Sequence, residues 1–187
     1  VVASDTTDDV ADLINLADPD GTNFDPDVYL PALTSVTGSA SDVIDFYNLT
    51  NVLQNEAGDA LGDEAVTLTD TTLAADVLNA VDATTTGLVD AASVTTLTGA
   101  AADMNTAYAS AGLTGLGDEA ATLSDVALDA AILETLVGNT SGAINASSIL
   151  TLTGAASQII AAINAGVSFK ADVVINVDEP ASAADIS

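Results

Sequence analysis

Apolar residues recur at helical spacing over residues 72 to 83, where Leu73, Val77, Leu78 and Val81 share one face, and this predicts an amphipathic helix. Asp70 or Thr71 stands where an N-cap is expected, and the Thr-Thr-Gly run that closes at Gly87 ends the pattern. A short second helix is expected at "DAASVTTL", with Asp90 or Ser93 at its start. Thr98 caps a third, which runs to about Ser110 with Met104, Ala107 and Tyr108 on one face. Gly112 to Gly117 is a turn region. In "EAVTLTD" the alternation of Val66 and Leu68 with Thr67 and Thr69 predicts a short strand, and "FKADVVINVDE" near the C-terminus predicts a longer one, richer in Val and Ile.

These elements repeat. "LGDEAVTLTD" at Leu61 returns as "LGDEAATLSD" at Leu116, a displacement of 55, and the same displacement carries Leu78 onto Leu133, Gly87 onto Gly142 and "TLTGAA" at Thr96 onto "TLTGAA" at Thr151. A more divergent first copy aligns Asp12 with Asp76, Val36-Thr37-Gly38 with Leu97-Thr98-Gly99, and Asp42 with Asp103. It carries three extra residues in the loop "DPDGTNFDPD" and about six more near "NVLQNEAGDA". The closing "PASAADIS" resembles "TTLAADVL", the start of a unit's first helix. The expected organisation is therefore a divergent first repeat over 1–62, a second over 63–117, a third over 118–180, and the start of a further repeat or a linker over 181–187. Units of this size bury little apolar surface alone and lean on neighbours. The expected fold class is mostly α with short β-strands: a tandem array of small helical modules, each ending in a short strand, docked as beads or as one continuous solenoid.

Charge narrows the function more than the fold. The 187 residues carry 28 acidic side chains and one basic one, Lys170, for a formal net charge of −27. Nucleic acid is excluded as a partner, because nothing would neutralise its phosphates, and an anionic membrane surface repels the chain unless divalent cations bridge the two. Relief comes from screening at high salt or from bound divalent cations. The apolar 49 % is mostly Ala, Val, Leu and Ile, with six aromatics and no Trp, which predicts a core of closely approaching elements. With no Cys and no His, disulfides, thiolate chemistry and the usual zinc ligand sets are absent. No window approaches the roughly 18 apolar residues of a membrane span. The opening "VVASDTTDD" has neither an initiator Met nor a signal-peptide pattern, as expected of a portion of a longer protein.

The cadence from "TLAADVLNAVDATTTGLVDAASV" through "TTLTGAAADMNTAYASAGLTGLGDEAATLSD", residues 72 to 125, resembles repeat arrays in very large, acidic, secreted proteins of cyanobacteria and other marine bacteria. Some of those also carry hemolysin-type (RTX) calcium-binding segments. The resemblance covers residues 61 to 187 and, more loosely, 6 to 60. It implies an extracellular or cell-surface repeat segment and no catalytic residues. This chain lacks the GGxGxDxUx nonapeptide, so RTX calcium ligands do not carry over.

Two acidic clusters invite a cation. In "LADPDGTNFDPDVYL", Asp18, Asp20, Asp25 and Asp27 surround a Gly within ten positions, a supply of hard oxygens suited to calcium. The spacing follows the first half of an EF-hand loop and departs in the second, where Tyr29 occupies the place of the bidentate Glu. Asp-Pro and Asp-Gly are also ordinary turn chemistry. Weaker candidates are Asp63 and Glu64 with their repeats Asp118 and Glu119, joined by Asp70 or Asp125 at the far end of the strand; the simpler account is a solvated turn that keeps the strand edge charged. Paired carboxylates suggest glycoside hydrolysis, but acid-base or nucleophilic chemistry would rest on Asp, Glu, Ser or Tyr alone, and the chain is expected not to be an enzyme. Sequons at Asn48, Asn139 and Asn145 would suit a secreted protein. The expected function is a non-enzymatic extracellular spacer, sheath, filament or surface-layer subunit, rigidified by calcium. Its partners would be copies of itself or adjacent repeats; the alternative is a calcium-dependent adhesin binding glycans or other cells.

Overall fold

The alternation in "AVTL" forms a strand as expected, Ala65–Leu68, with Val66 and Leu68 inward and Ala65 and Thr67 outward. It does not stand alone at the end of a helical module. The computed structural model describes residues 7–9, 33–50 and 62–178, and among these thirteen strands alternate with five helices. The strands are β1 Thr7–Asp9, β2 Ser35–Gly38, β3 Ala65–Leu68, β4 Thr72–Ala74, β5 Val89–Asp90, β6 Thr96–Gly99, β7 Leu113–Thr114, β8 Ala120–Leu123, β9 Ala127–Asp129, β10 Ile144–Ala146, β11 Thr151–Gly154, β12 Ser168–Phe169 and β13 Val174–Val177. The helices are α1 Ala40–Thr50, α2 Ala75–Thr84, α3 Ala101–Ala109, α4 Ala130–Asn139 and α5 Ala156–Asn164.

The chain divides into two compact units: Val1–Leu73 with Val77–Val94 and Ser110–Leu116, and Ala74–Asp76 with Thr95–Ala109 and Gly117–Ser187. In the first, β1, β2, β3, β5 and β7 form one sheet in that order, every pair parallel. In the second, β6, β8, β10 and β12 form one sheet, with Ala74 of β4 at its edge, and β9, β11 and β13 form another. Its registers are again parallel: Thr96 with Ala120, Ile144 with Ala121, Asn145 with Ser168, Thr151 with Ala127, and Thr151 with Val174. From β3 onward each strand in these registers thus pairs with one lying 23 or 24 residues away, and a helix is crossed between them, as parallel pairing requires. Strand order within each sheet follows the chain without reversal.

This corrects the expected fold class. The protein is α/β with three parallel sheets, not a mostly α array of helical modules. "DAASVTTL" contains no helix: Asp90 accepts a hydrogen bond from the Ala92 amide at 3.0 Å, the local bond of an Asx-turn, which from sequence looks like a helix cap. The chain then enters β6, with Leu97 buried between Thr96 and Thr98. The long C-terminal strand is two strands, β12 and β13, in different sheets, separated by the turn at Lys170–Val173. The first helix starts three residues later than its apolar periodicity suggests, because Thr72–Ala74 is strand.

The sequence repeat and the pairing repeat also differ. The displacement of 55 maps β3, α2, β5, α3 and β7 onto β8, α4, β10, α5 and β12, but pairing recurs at 23 or 24. Two such advances fall about eight residues short of one sequence repeat. The remainder supplies one additional short strand, so β3 belongs to the first sheet while its copy β8 belongs to the second.

Each unit has its own core. Val36, Val43, Phe46, Val66, Leu68, Leu78, Val81 and Val89 are buried in the first; Leu97, Met104, Leu123, Leu133, Leu136, Ile149, Leu152 and Ile159 are buried in the second. Among the described residues no helix is long and apolar enough to cross a membrane.

Candidate functional site

Polar side chains seldom enter such cores, and among the described residues only four polar or charged ones are buried: Glu64, Thr85, Glu119 and Thr140. All four belong to the motifs that the displacement of 55 superposes, "LGDE" with "TTG" and "LGDE" with "TSG". Reading along the chain gives no sign that these motifs touch. The fold docks them in pairs.

In the first unit the turn before β3 begins at Gly62, whose φ of 137° lies where L side chains are strained. This bend lets the Glu64 carboxylate fold back onto its own turn, where it accepts the Gly62 amide at 2.8 Å. The same oxygen accepts the Tyr47 hydroxyl at 3.1 Å, from α1. The segment after α2 closes the other side. Thr85 Oγ1 donates to the carbonyls of Gly62 and Glu64 at 3.0 and 3.3 Å and accepts the Gly87 amide at 2.9 Å, while the Thr86 amide donates to the Gly62 carbonyl at 2.7 Å. Gly87 is needed for closeness: a Cβ there would lie 2.0 Å from the Glu64 carbonyl oxygen.

The second unit repeats this group by group. The Gly117 amide, at φ 137°, donates to both Glu119 oxygens at 3.1 and 2.9 Å, and the Tyr108 hydroxyl of α3 donates to Oε2 at 2.9 Å. Thr140 Oγ1 donates to the Glu119 carbonyl at 2.8 Å and accepts the Gly142 amide at 2.9 Å. The Ser141 amide donates to the Gly117 carbonyl at 2.8 Å, and a Cβ on Gly142 would come within 2.1 Å of the Glu119 carbonyl oxygen.

Both phenols are held neutral well beyond the usual tyrosine range. Burial is the main cause; the hydrogen bond with Thr85 or Thr140 opposes it, and the Glu64 or Glu119 carboxylate adds to it. No buried side-chain nitrogen or oxygen among the described residues lacks a partner. Chemically the constellation is a latch: it fastens a strand, a helix end and a loop together, with its polar groups turned on one another.

A second repeated device involves Asp70 and Asp125. Asp70 Oδ2 accepts the Ala40 amide at 2.7 Å, and Asp125 Oδ2 accepts the Ala101 amide at 2.9 Å. Each carboxylate reaches from beyond the end of one strand to the first turn of the helix that follows the neighbouring strand. There it meets unsatisfied N–H groups and the positive end of the helix dipole.

The sequence candidates therefore separate. Asp18, Asp20, Asp25 and Asp27 lie outside the described residues. Asp63 and Asp118 are exposed, as a solvated turn requires, whereas Glu64 and Glu119 are buried in the latches. Among the described residues no group of three or more acidic side chains is arranged to hold a metal ion. Lys170 Nζ lies 3.1 Å from Asp172 in an exposed pair. Of the sequons, Asn139 donates to Asn105 Oδ1 at 3.0 Å, while Asn145 is exposed and accepts the Ser147 amide at 3.1 Å. Compared with protein-family models, with curated proteins and with solved structures, the chain matches none.

Proposed function

We propose that this chain is a non-enzymatic structural repeat protein working outside the cell or at its surface, as a spacer, sheath, filament or surface-layer subunit, with calcium at Asp18, Asp20, Asp25 and Asp27 as its rigidifying ion. The observation that carries this reading is the use of polar groups: the buried Glu and Thr side chains of each unit, with the Tyr that meets each Glu, are spent on latches that hold strands and helices together. The resemblance to secreted acidic arrays and the net charge of −27 agree with it. The adhesin alternative draws its recognition surface from Phe24, Tyr29, Phe46 and Tyr47, and two of these are buried, Phe46 in the core and Tyr47 in the latch. The structural reading is therefore the better supported.

The test is the unfolding midpoint at fixed ionic strength in chelator, in millimolar Ca²⁺ and in millimolar Mg²⁺, beside a glycan-array screen. A native-state site at 100 times its dissociation constant adds about 2.7 kcal/mol. The expected result is a rise with Ca²⁺ alone, lost in the Asp20→Asn, Asp25→Asn double variant, with a silent array. An equal response to both ions removes calcium from the proposal, and Ca²⁺-dependent glycan binding replaces the structural reading with the adhesin one.

A further inference from the structure

The fold treats the three sequons differently. Asn139-Thr140-Ser141 is used up by the latch of the second unit: the Ser141 amide and hydroxyl both donate to the Gly117 carbonyl, at 2.8 and 3.2 Å, Thr140 closes on Glu119, and the Asn139 carboxamide donates to Asn105 Oδ1 at 3.0 Å. Asn48 lies inside α1, where the amide two residues on belongs to the helix's own hydrogen bonds. Asn145-Ala146-Ser147 is arranged otherwise. It spans the end of β10, with Ala146 fully buried and Asn145 and Ser147 exposed on either side of it. Asn145 Oδ1 accepts the Ser147 amide at 3.1 Å, while neither the Asn145 carboxamide nitrogen nor the Ser147 hydroxyl has a partner among the described residues. The residues in register with Asn145, Thr122 and Ser168, are small and exposed, so no bulky side chain stands level with it on the neighbouring strands.

The earlier copy shows what this turn needs for folding alone. One repeat before, Asp90-Ala91-Ala92 makes the same turn: Asp90 Oδ1 accepts the Ala92 amide at 3.0 Å, beside a fully buried Ala91. A carboxylate therefore serves the fold as well as a carboxamide, and the turn needs no hydroxyl at its third residue. The later copy has both an amide nitrogen and a hydroxyl two residues on, the pair that an N-glycan acceptor requires. We propose that Asn145 is an N-glycosylation site, the acceptor for an oligosaccharide carried on a polyisoprenyl pyrophosphate. In the transfer, Nδ2 attacks the anomeric carbon of the first sugar. The bond from nitrogen to that carbon forms, the bond from the carbon to the pyrophosphate oxygen breaks and its electron pair leaves with the pyrophosphate, and Nδ2 gives up one proton to a base of the transferase. As the proton leaves, negative charge gathers on Oδ1, where the Ser147 N–H already points. The attached sugar projects from an exposed face and displaces no hydrogen bond of the fold. The site deepens the structural reading and rests on it only for the route out of the cell, along which such transferases act.

Transfer in vitro tests this. The folded full chain is incubated with a purified oligosaccharyltransferase, its divalent cation and a lipid-linked oligosaccharide, and the modified residue is located by mass spectrometry of proteolytic peptides. The expected result is a glycan on Asn145 and none on Asn48 or Asn139. Asn145→Asp and Ser147→Ala each install the residue of the earlier copy and so keep the turn; each should abolish transfer to this site. The double variant Asp90→Asn, Ala92→Ser places the same chemistry on the earlier turn and should gain a second glycan there. Circular dichroism confirms that each variant folds, and the unfolding midpoint of the glycosylated chain should equal that of the unmodified one. No transfer to Asn145, transfer that survives Ser147→Ala, or equal modification of Asn48 and Asn139 overturns the proposal, as does a double variant that gains no glycan or a glycosylated chain that unfolds earlier. None of these outcomes alters the calcium response, so failure of the site and failure of the structural reading are told apart.

Discussion

The latch at Glu64 and the latch at Glu119 hold the same polar groups in the same order, yet different cores back them. Behind Tyr47 stands Phe46, fully buried, its ring centroid 5.2 Å from the tyrosine ring and its plane at 66° to it. Sixty-one residues on, Ala107 takes the place of Phe46 beside Tyr108 and is fully buried too. Tyr47 is buried, whereas Tyr108 is only half-buried. The two copies have thus diverged in core volume while keeping hydrogen-bond geometry. Apolar volume can be redistributed among neighbours, whereas a hydrogen bond between buried groups fails within a fraction of an ångström and leaves a desolvated donor or acceptor behind.

Truncating the large core residue breaks the comparison most severely. Phe46→Ala should cost about 3–5 kcal/mol, and hydrogen exchange should show the loss in β2, α1 and β3 while β8, β10 and α4 keep their protection. The reverse change, Ala107→Phe, should cost about 1–3 kcal/mol by overpacking. If it cost nothing, the second latch would have room for an aromatic and the cores would not differ as described. Next come Gly87→Ala and Gly142→Ala. A Cβ at either site meets a backbone carbonyl oxygen that no side-chain rotation can move aside, so each should cost about 3 kcal/mol. The two costs should be nearly equal, because the clash distances of 2.0 and 2.1 Å are the same. Unequal costs in urea melts would mean that the two turns yield differently.

Removing the phenol hydroxyls should have a smaller and unequal effect. Tyr47→Phe takes a donor from a buried carboxylate and should cost about 1.5–3 kcal/mol. Tyr108→Phe, where solvent reaches the ring, should cost about 1 kcal/mol. Alkali gives the mildest test. An unfolded tyrosine ionises near pH 10, and both phenols stay neutral beyond that in the folded chain. Above about pH 10 the folded state therefore holds more protons than the unfolded one, and stability falls as pH rises. The unfolding midpoint should decline from that pH upward, and less steeply in Tyr47→Phe, which no longer carries the phenol beside Glu64 and Asp63. An unchanged slope would remove Tyr47 as its source.

Several parts of this were legible along the chain. The alternation of Val66 and Leu68 marked β3, and Met104 and Ala107 marked the buried face of α3. The displacement of 55 was visible because it is carried by residue identity. The strands around Asp90 and Leu113 were not legible, because they are two residues long, too short to show a period of two, and the strand at Thr96 was hidden by the Asx-turn at Asp90, which reads as a helix cap. Nor could Glu64 be separated from Asp63. They are adjacent acidic residues in one turn, and only the bend at Gly62 and the approach of Tyr47 send one carboxylate inward and leave the other in water.

By itself the sequence determined the repeat, the charge and the positions of the longer elements, because these depend on residue identity or on contacts within a few residues. The tertiary structure alone decided that the short strands from β3 onward pair in parallel 23 or 24 residues apart. It alone decided that "LGDE" closes on "TTG" and "TSG", and that two glutamates are buried. Each of these is a contact between segments distant in sequence, and its energy comes from hydrogen bonds and excluded water that exist only once both segments are in place.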